Sequence, residues 1–410
     1  MSIAAPLTIT NGLLVLPNAP PQKGAIRSEN GLITAIGDVT PHDGDTIFDA
    51  HGALITPGLV DCGSFAIDKP AFHFGGITRA ALMPDQNPPL DHPARVRFAA
   101  LSGKPDLWVH PLAAATRDLG GTELAEIALM RDAGAKAIST GRSWINNSGT
   151  MLRLLQYAAM LDMVVISHAE DSGITGNAVA TSGEMATRLG LPSAPAQAES
   201  LAVARDIALA ELAGAKLHFR QVTTAAALNL IRAAKSRGLK ITAGVTPAHF
   251  MLSDLAIGDF RTFTRLSPPL RSEYDRQAVL AALADGTIDV IASSHDPRGP
   301  EDKRLPFADA EPGMAGAETL LPLTLNLVRD GVIDLPRAFA LLAHNPAKLL
   351  GVNAGQLCVG YEADIAIINP DRPWIVNSDK MAAAAGNTPF DRLPVQGRVT
   401  ALFKGGSRIE

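Results

Sequence analysis

Between Lys216 and Pro247 the chain reads KLHFRQVTTAAALNLIRAAKSRGLKITAGVTP. It opens on a short apolar run, Lys216–Thr223. It then passes into Thr224–Arg237, where apolar residues return every three or four positions, as on one face of a helix. After Gly238, a residue suited to a helix end, a second apolar run follows, Lys240–Pro247. Strand, helix, strand in so short a span predicts a βαβ unit with parallel strands.

The same alternation extends outward in both directions. Strands are expected at Leu59–Ala66, Gly76–Pro84, Asp106–Ala114, Ala135–Gly141, Met163–Glu170, Lys216–Thr223, Lys240–Pro247 and Ile288–His295. Amphipathic helices are expected at Thr122–Ala133, Thr150–Leu161, Gln197–Ala213, Thr224–Arg237 and Ser272–Ala284. Eight βα repeats predict an α/β fold, a (β/α)8 TIM-type barrel, in preference to an open sheet covered on both faces. One interval is too short. Ile67 to Gly75 leaves no room for a crossover of about 10–12 residues, so the first barrel helix is expected to be missing or cut to a turn. Phe72 and Phe74 in that link, with the outer faces of the first two strands, would then form an exposed apolar interface.

Both ends of the chain read as β. Leu7–Leu16, Gly31–Gly37 and Thr46–Ile55 precede the barrel, and Gln356–Val359, Asp364–Ile368, Trp374–Val376 and Val399–Phe403 follow it. Neither group can bury a core alone. Residues 1–57 and 352–410 are therefore expected to pair as one small β-sandwich beside a barrel of residues 58–351.

Composition narrows the function classes. The 410 residues carry 36 Lys and Arg against 41 Asp and Glu, a net charge of −5, with 47% apolar residues. There is no basic run to hold nucleic acid and no apolar stretch of the roughly 18 residues a membrane helix needs. Cys62 and Cys358 lie too far apart for a metal-type pair, which fits a reducing cytoplasm. The first residues lack the basic region of a secretory signal.

A barrel places its chemistry at the carboxyl ends of its strands. Those ends read Asp61-Cys62-Gly63-Ser64-Phe65, Ser139-Thr140-Gly141, Ser167-His168-Ala169-Glu170-Asp171, His218-Phe219-Arg220-Gln221 and Ser293-Ser294-His295-Asp296. A hydrolytic zinc centre needs three or four converging donors. His168 with Glu170 or His295 could hold a metal. The reading preferred here is hydrogen-bonded polar remnants and no cofactor, because the strands do not each supply a ligand. His110, His218 and His249 stand singly and are read as pocket or core residues. No nucleophile elbow, phosphate loop or dinucleotide fingerprint follows a strand.

The order of short motifs resembles the dihydroorotases of the amidohydrolase superfamily, the bacterial type similar to dihydropyrimidinases and allantoinases. The motifs run Pro57-Gly58-Leu59-Val60-Asp61, His168-Ala169-Glu170-Asp171, Arg188-Leu189-Gly190-Leu191-Pro192, Val245-Thr246-Pro247, Pro268-Pro269-Leu270-Arg271, Gly316-Ala317-Glu318-Thr319, Asn345-Pro346-Ala347-Lys348 and Asn387-Thr388-Pro389-Phe390. The resemblance implies a metal-dependent barrel, yet the family's functional positions are replaced. Its His-x-His pair falls on Gly63 and Phe65, and its strand-4 ligand on Ser139 or Thr140. His168 survives, the next histidine falls on Gln221, and the aspartate base falls on Ser294. The substrate-clamping positions fall on Ile67, Asp85 and Ser267.

So altered, the resemblance implies a non-catalytic member without bound metal. Its work would be structural or regulatory in pyrimidine synthesis, as an oligomeric companion of aspartate transcarbamoylase. The rival reading is a working zinc-dependent cyclic amidohydrolase with ligands relocated among His168, Glu170, His218, His295 and Asp296. A third is a small-molecule sensor using the emptied pocket.

Overall fold

A computed structural model describes residues 5–17 and 19–410; of Met1–Pro6, on which the expectation about a secretory signal rests, Met1–Ala4 lie outside the described residues. Eight parallel strands form the barrel in consecutive order: β6 (Leu59–Ser64), β7 (Ile77–Leu82), β8 (Trp108–Ala114), β9 (Ala137–Ser139), β10 (Val164–Ser167), β13 (Lys216–Phe219), β14 (Ile241–Val245) and β15 (Val290–Ile291). Each expected strand is present but shorter, because its ends leave the ladder to become mouth and floor loops. Between β10 and β13 a long loop carries the two-residue strands β11 (Ala180–Thr181) and β12 (Ser193–Ala194).

The edges of the barrel meet through few backbone bonds. The Phe65 N–H donates to the His295 carbonyl at 2.8 Å, and the Asp61 carboxylate accepts from the Ser293 N–H at 2.8 Å and from the Ser293 hydroxyl. Asp61 thus latches the first strand to the last.

Strand alternation divides the core. Val60, Cys62, Ala81, Leu112, Val164, Ile166 and Val290 point to the barrel axis, and Ala347, Leu350 and Ala354 close the floor. The opposite faces bury Leu59, Ile77, Ala80, Val109, Val165 and Leu217 under the helices. Helices Ser148–Met160, Gln197–Ala213, Ala225–Ser236 and Glu273–Ala284 lie where the spacing placed them; Ile127–Asp132 is shorter than expected. Pro93–Leu101 escaped the pattern because Phe98 and Leu101 are exposed, leaving no apolar stripe to read.

The first barrel helix is not missing. Lys69–Gly75 forms two turns, with Asp68 capping the Ala71 N–H and Gly76 ending it in the left-handed region at φ 79°. Gly75 is required: a Cβ there would collide with the Ala317 carbonyl oxygen of the neighbouring helix Ala317–Arg329. This close approach buries Phe72 completely, its ring edge-on to His295 at 5.3 Å. Phe74 is half-buried against Trp374 at 5.4 Å. The expected exposed patch around Phe72 and Phe74 is therefore corrected. The gap is filled from within the chain, by a helix and a C-terminal strand.

The chain ends do form one composite β unit. β1 (Leu7–Leu14), β2 (Gln22–Glu29), β3 (Leu32–Gly37), β4 (Thr46–Asp49) and β5 (Leu54–Pro57) join β16 (Ile365–Ile375), β17 (Pro394–Lys404) and β18 (Ser407–Ile409), with β5 antiparallel to β16. β1 branches: Leu7–Thr10 pairs with β4 and Leu13–Leu14 with β5, on either side of a bulge. The branch lets Phe48 of β4 reach Phe403 of β17, ring centroids 5.2 Å apart, across a shared apolar core.

Candidate functional site

The carboxyl ends of the strands converge on a closed, strongly charged centre. Gly63 sits at a bulge with φ 136°, a conformation that L side chains rarely adopt, and a Cβ there would stand 3.9 Å from Cδ of Arg220. The Arg220 side chain thus lies within ordinary contact distance of residue 63, and the backbone conformation is what favours glycine there. Alternation along β13 explains its direction: Phe219 faces the helices, so His218 and Arg220 face inward. Phe65 lies in the inner barrel core at the mouth, 8% exposed. The Arg142 guanidinium stacks 3.7 Å from its ring centroid, and that of Arg220 lies 5.1 Å away.

Arg220 donates to Nδ1 of His168 at 3.2 Å, which leaves the imidazole proton on Nε2, 3.5 Å from Glu170. Glu170 in turn accepts from Arg271 at 2.6 Å, and Arg271 also meets Thr181, Thr223 and Glu199. Burial pushes the Glu170 carboxyl up, but Arg271 and His168 outweigh it and hold it near about 2. Burial, then the charge of Arg142, pulls Arg220 down to about 10, so it remains a cation at neutral pH.

The remaining positions meet partners within the protein, though Oδ2 of Asp85, Oε1 of Gln221 and Nε2 of His218 are buried without one. The Thr140 hydroxyl accepts from the His168 N–H, and Ser139 from the Gly141 N–H. Gln221 donates to Ser294 at 2.6 Å. Asp85 accepts from the Arg142 N–H, while the Arg142 guanidinium meets Asp296 at 2.8 Å. Ser267 lines the mouth, and Ile67 packs partly buried against the main core. His295 is wholly buried, accepting from the Ala317 N–H and facing Asp68 at 3.3 Å, so it braces the first helix rather than the mouth. His249 bridges Thr246 and the Pro268 carbonyl. His218 meets Thr242 deep in the barrel. The cavity left at the mouth holds about 20 Å³, room for about one water.

These residues do not fit a bound metal. His168 has both ring nitrogens engaged, and a guanidinium occupies the space beside it. Among the described residues no three His, Cys, Asp or Glu side chains converge in a ligating group. The sequence reading missed Arg142, Arg220 and Arg271 as the groups that organise the centre. Alternation along β13 was the available signal for Arg220; nothing local pointed to Arg142.

Among the described residues no helix is long and apolar enough to cross a membrane. The Dihydro-orotase-like family model matches residues 54–226. An L-hydantoinase from Arthrobacter aurescens shares the fold, with a TM-score of 0.88 at 24% identity over 98% of this chain and 95% of that one. A dihydropyrimidinase from Brevibacillus agri gives 0.85 at 22%, over 98% and 94%. Closer in sequence is a dihydroorotase of Syntrophus aciditrophicus, 38% identical over 396 residues and 92% of each chain. Another, from Pelotomaculum thermopropionicum, is 41% identical over 392 residues, again 92% of each. On that near-complete correspondence, this chain belongs to the dihydroorotase family.

Proposed function

We propose that this chain is a non-catalytic member of its family. It would act in the cytoplasm, as a homo-oligomer without bound zinc, as a structural or regulatory partner of aspartate transcarbamoylase in pyrimidine synthesis. The observation that carries the reading is the Arg220–His168 contact. It sets a cation of the chain's own at the one surviving ligand histidine and leaves that ring no free nitrogen. Metal-assisted hydrolysis requires a water activated on a metal and a base to take its proton. Residues 63, 65, 221 and 294 are Gly, Phe, Gln and Ser, which supply neither ligand set nor base. Phe65 and Arg142 take up the space a cyclic substrate would need.

The partner assignment rests on the resemblance of the sequence to inactive companions of that enzyme. Co-purification of the full chain with aspartate transcarbamoylase from the same cells, followed by light scattering of the mixture, tests it. Two proteins that elute separately at micromolar concentration would refute it.

A second reading, a working cyclic amidohydrolase, draws support from relatives that carry the name dihydroorotase at 38% and 41% identity. Assay of dihydroorotate hydrolysis with elemental analysis separates the two. Turnover that survives repurification, with one equivalent of zinc lost on His168→Ala, would establish the second.

A further inference from the structure

The opposite end of the barrel carries an unbalanced charge. Two adjoining cavities of about 510 and 600 Å³ lie at the amino-terminal ends of the strands and share Lys136 and Gly351. Some cations there are neutralised. Arg79 and Lys404 pair with Glu362 and Asp364, and Lys216 pairs with Asp162 at 2.7 Å. Lys104, Lys136, Lys240 and Lys348 line the two cavities and, among the described residues, have no carboxylate within 4.0 Å. Lys104 and Lys136 line the smaller cavity and Lys136, Lys240 and Lys348 the larger, where Asp289 is paired with Lys235, in a chain that is acidic overall at −5.

A second observation concerns the lining of the smaller cavity. His110 lines it, is 5% exposed, and its Nε2 is buried without a hydrogen-bond partner. A buried polar nitrogen left unpaired is costly, and a ligand oxygen would satisfy it. Burial, together with the charges of Arg79, Lys136 and Lys404, keeps this ring neutral at about 3, so it can offer a single N–H. Trp108 forms the wall beside it, with the Lys104 ammonium 4.5 Å from its ring centroid.

We propose that this floor is a binding site for a small anionic metabolite bearing a phosphate or diphosphate, held by Lys104, Lys136 and His110. The site is separate from the barrel mouth and independent of whether the mouth is catalytic. Lysine is a point-charge binder of phosphate oxygens, and Lys136 reaches both cavities.

Inorganic pyrophosphate is the probe, titrated into the full chain at fixed ionic strength and followed by calorimetry and tryptophan fluorescence. A saturable signal with a submillimolar Kd is expected. Lys136→Glu should weaken it at least ten-fold, with an unchanged circular dichroism spectrum because Lys136 is exposed. Trp108→Phe should remove most of the fluorescence change while calorimetric binding persists. The proposal is overturned by no saturation up to about 10 mM, by an equal response to potassium chloride, or by an unchanged Kd in Lys136→Glu. It is likewise overturned if an oligo-glutamate peptide binds this face and pyrophosphate does not, which would make the floor a protein contact.

Discussion

The guanidinium of Arg220 donates to Nδ1 of His168 across 3.2 Å, inside a barrel whose mouth is shut by Phe65 under Arg142. A fixed cation of the chain therefore stands beside His168, and four consequences of this arrangement and its supports can be measured.

Placing histidines at 63 and 65 should not create hydrolysis. Gly63→His/Phe65→His is expected to give no dihydroorotate hydrolysis above background. Thr140, Gln221 and Ser294 still offer no ligands or base, and residue 63 must hold φ 136°. The double variant should also be less stable than the parent. A turnover rate that rises with added zinc would contradict this.

Arg271 and Arg220 should differ sharply on removal. Arg271→Met leaves Glu170 and Glu199 buried without their counter-ion, which should cost about 3–5 kcal/mol in urea unfolding. Arg220→Met removes a desolvated cation whose Nε has no partner, and should change stability by only about 1 kcal/mol. Equal losses in the two variants would show that Arg220 is a structural ion pair as well.

Stability should fall on mild acidification. Burial pulls His249 down to about 4 and His218 to about 3, so both rings are neutral in the fold. The unfolded chain protonates them near about 6.5. The stability from keeping them neutral is present above about pH 6.5 and is lost as pH falls toward 4 and below, at up to about 1.4 kcal/mol per pH unit for each ring. Urea midpoints at pH 7, 5.5 and 4.5 check this. His249→Asn should flatten the curve, and a level profile down to pH 4.5 would refute it.

Phe72→Ser should act on the fold rather than on assembly. The ring is fully buried between His295 and the helix Ala317–Arg329, so its loss is expected to cost about 3–5 kcal/mol. Phe74→Ser, at a half-buried position, should cost less. If Phe72→Ser keeps its melting temperature and changes only the oligomer, the packing assignment is wrong.

Periodicity along the chain was enough for the barrel. Alternating strands and 3.6-period helices are local patterns, and eight of them in succession admit few topologies. That residues 63, 65, 221 and 294 lie at the carboxyl ends of the strands was likewise legible, since strand ends follow from the same local patterns. The short link before β7 was misread. A length rule cannot register that Gly75 lets two helices approach closely enough to bury Phe72. The Arg220–His168–Glu170–Arg271 chain joins the ends of two barrel strands and a loop, so no window of sequence contains it. Nor could sequence show that Lys104, Lys136, Lys240 and Lys348 gather at one end of the barrel, because they come from separate repeats. Local pattern fixes which elements form and which way each side chain points. Which charges meet depends on barrel closure, which brings residues far apart in the chain within a few ångströms.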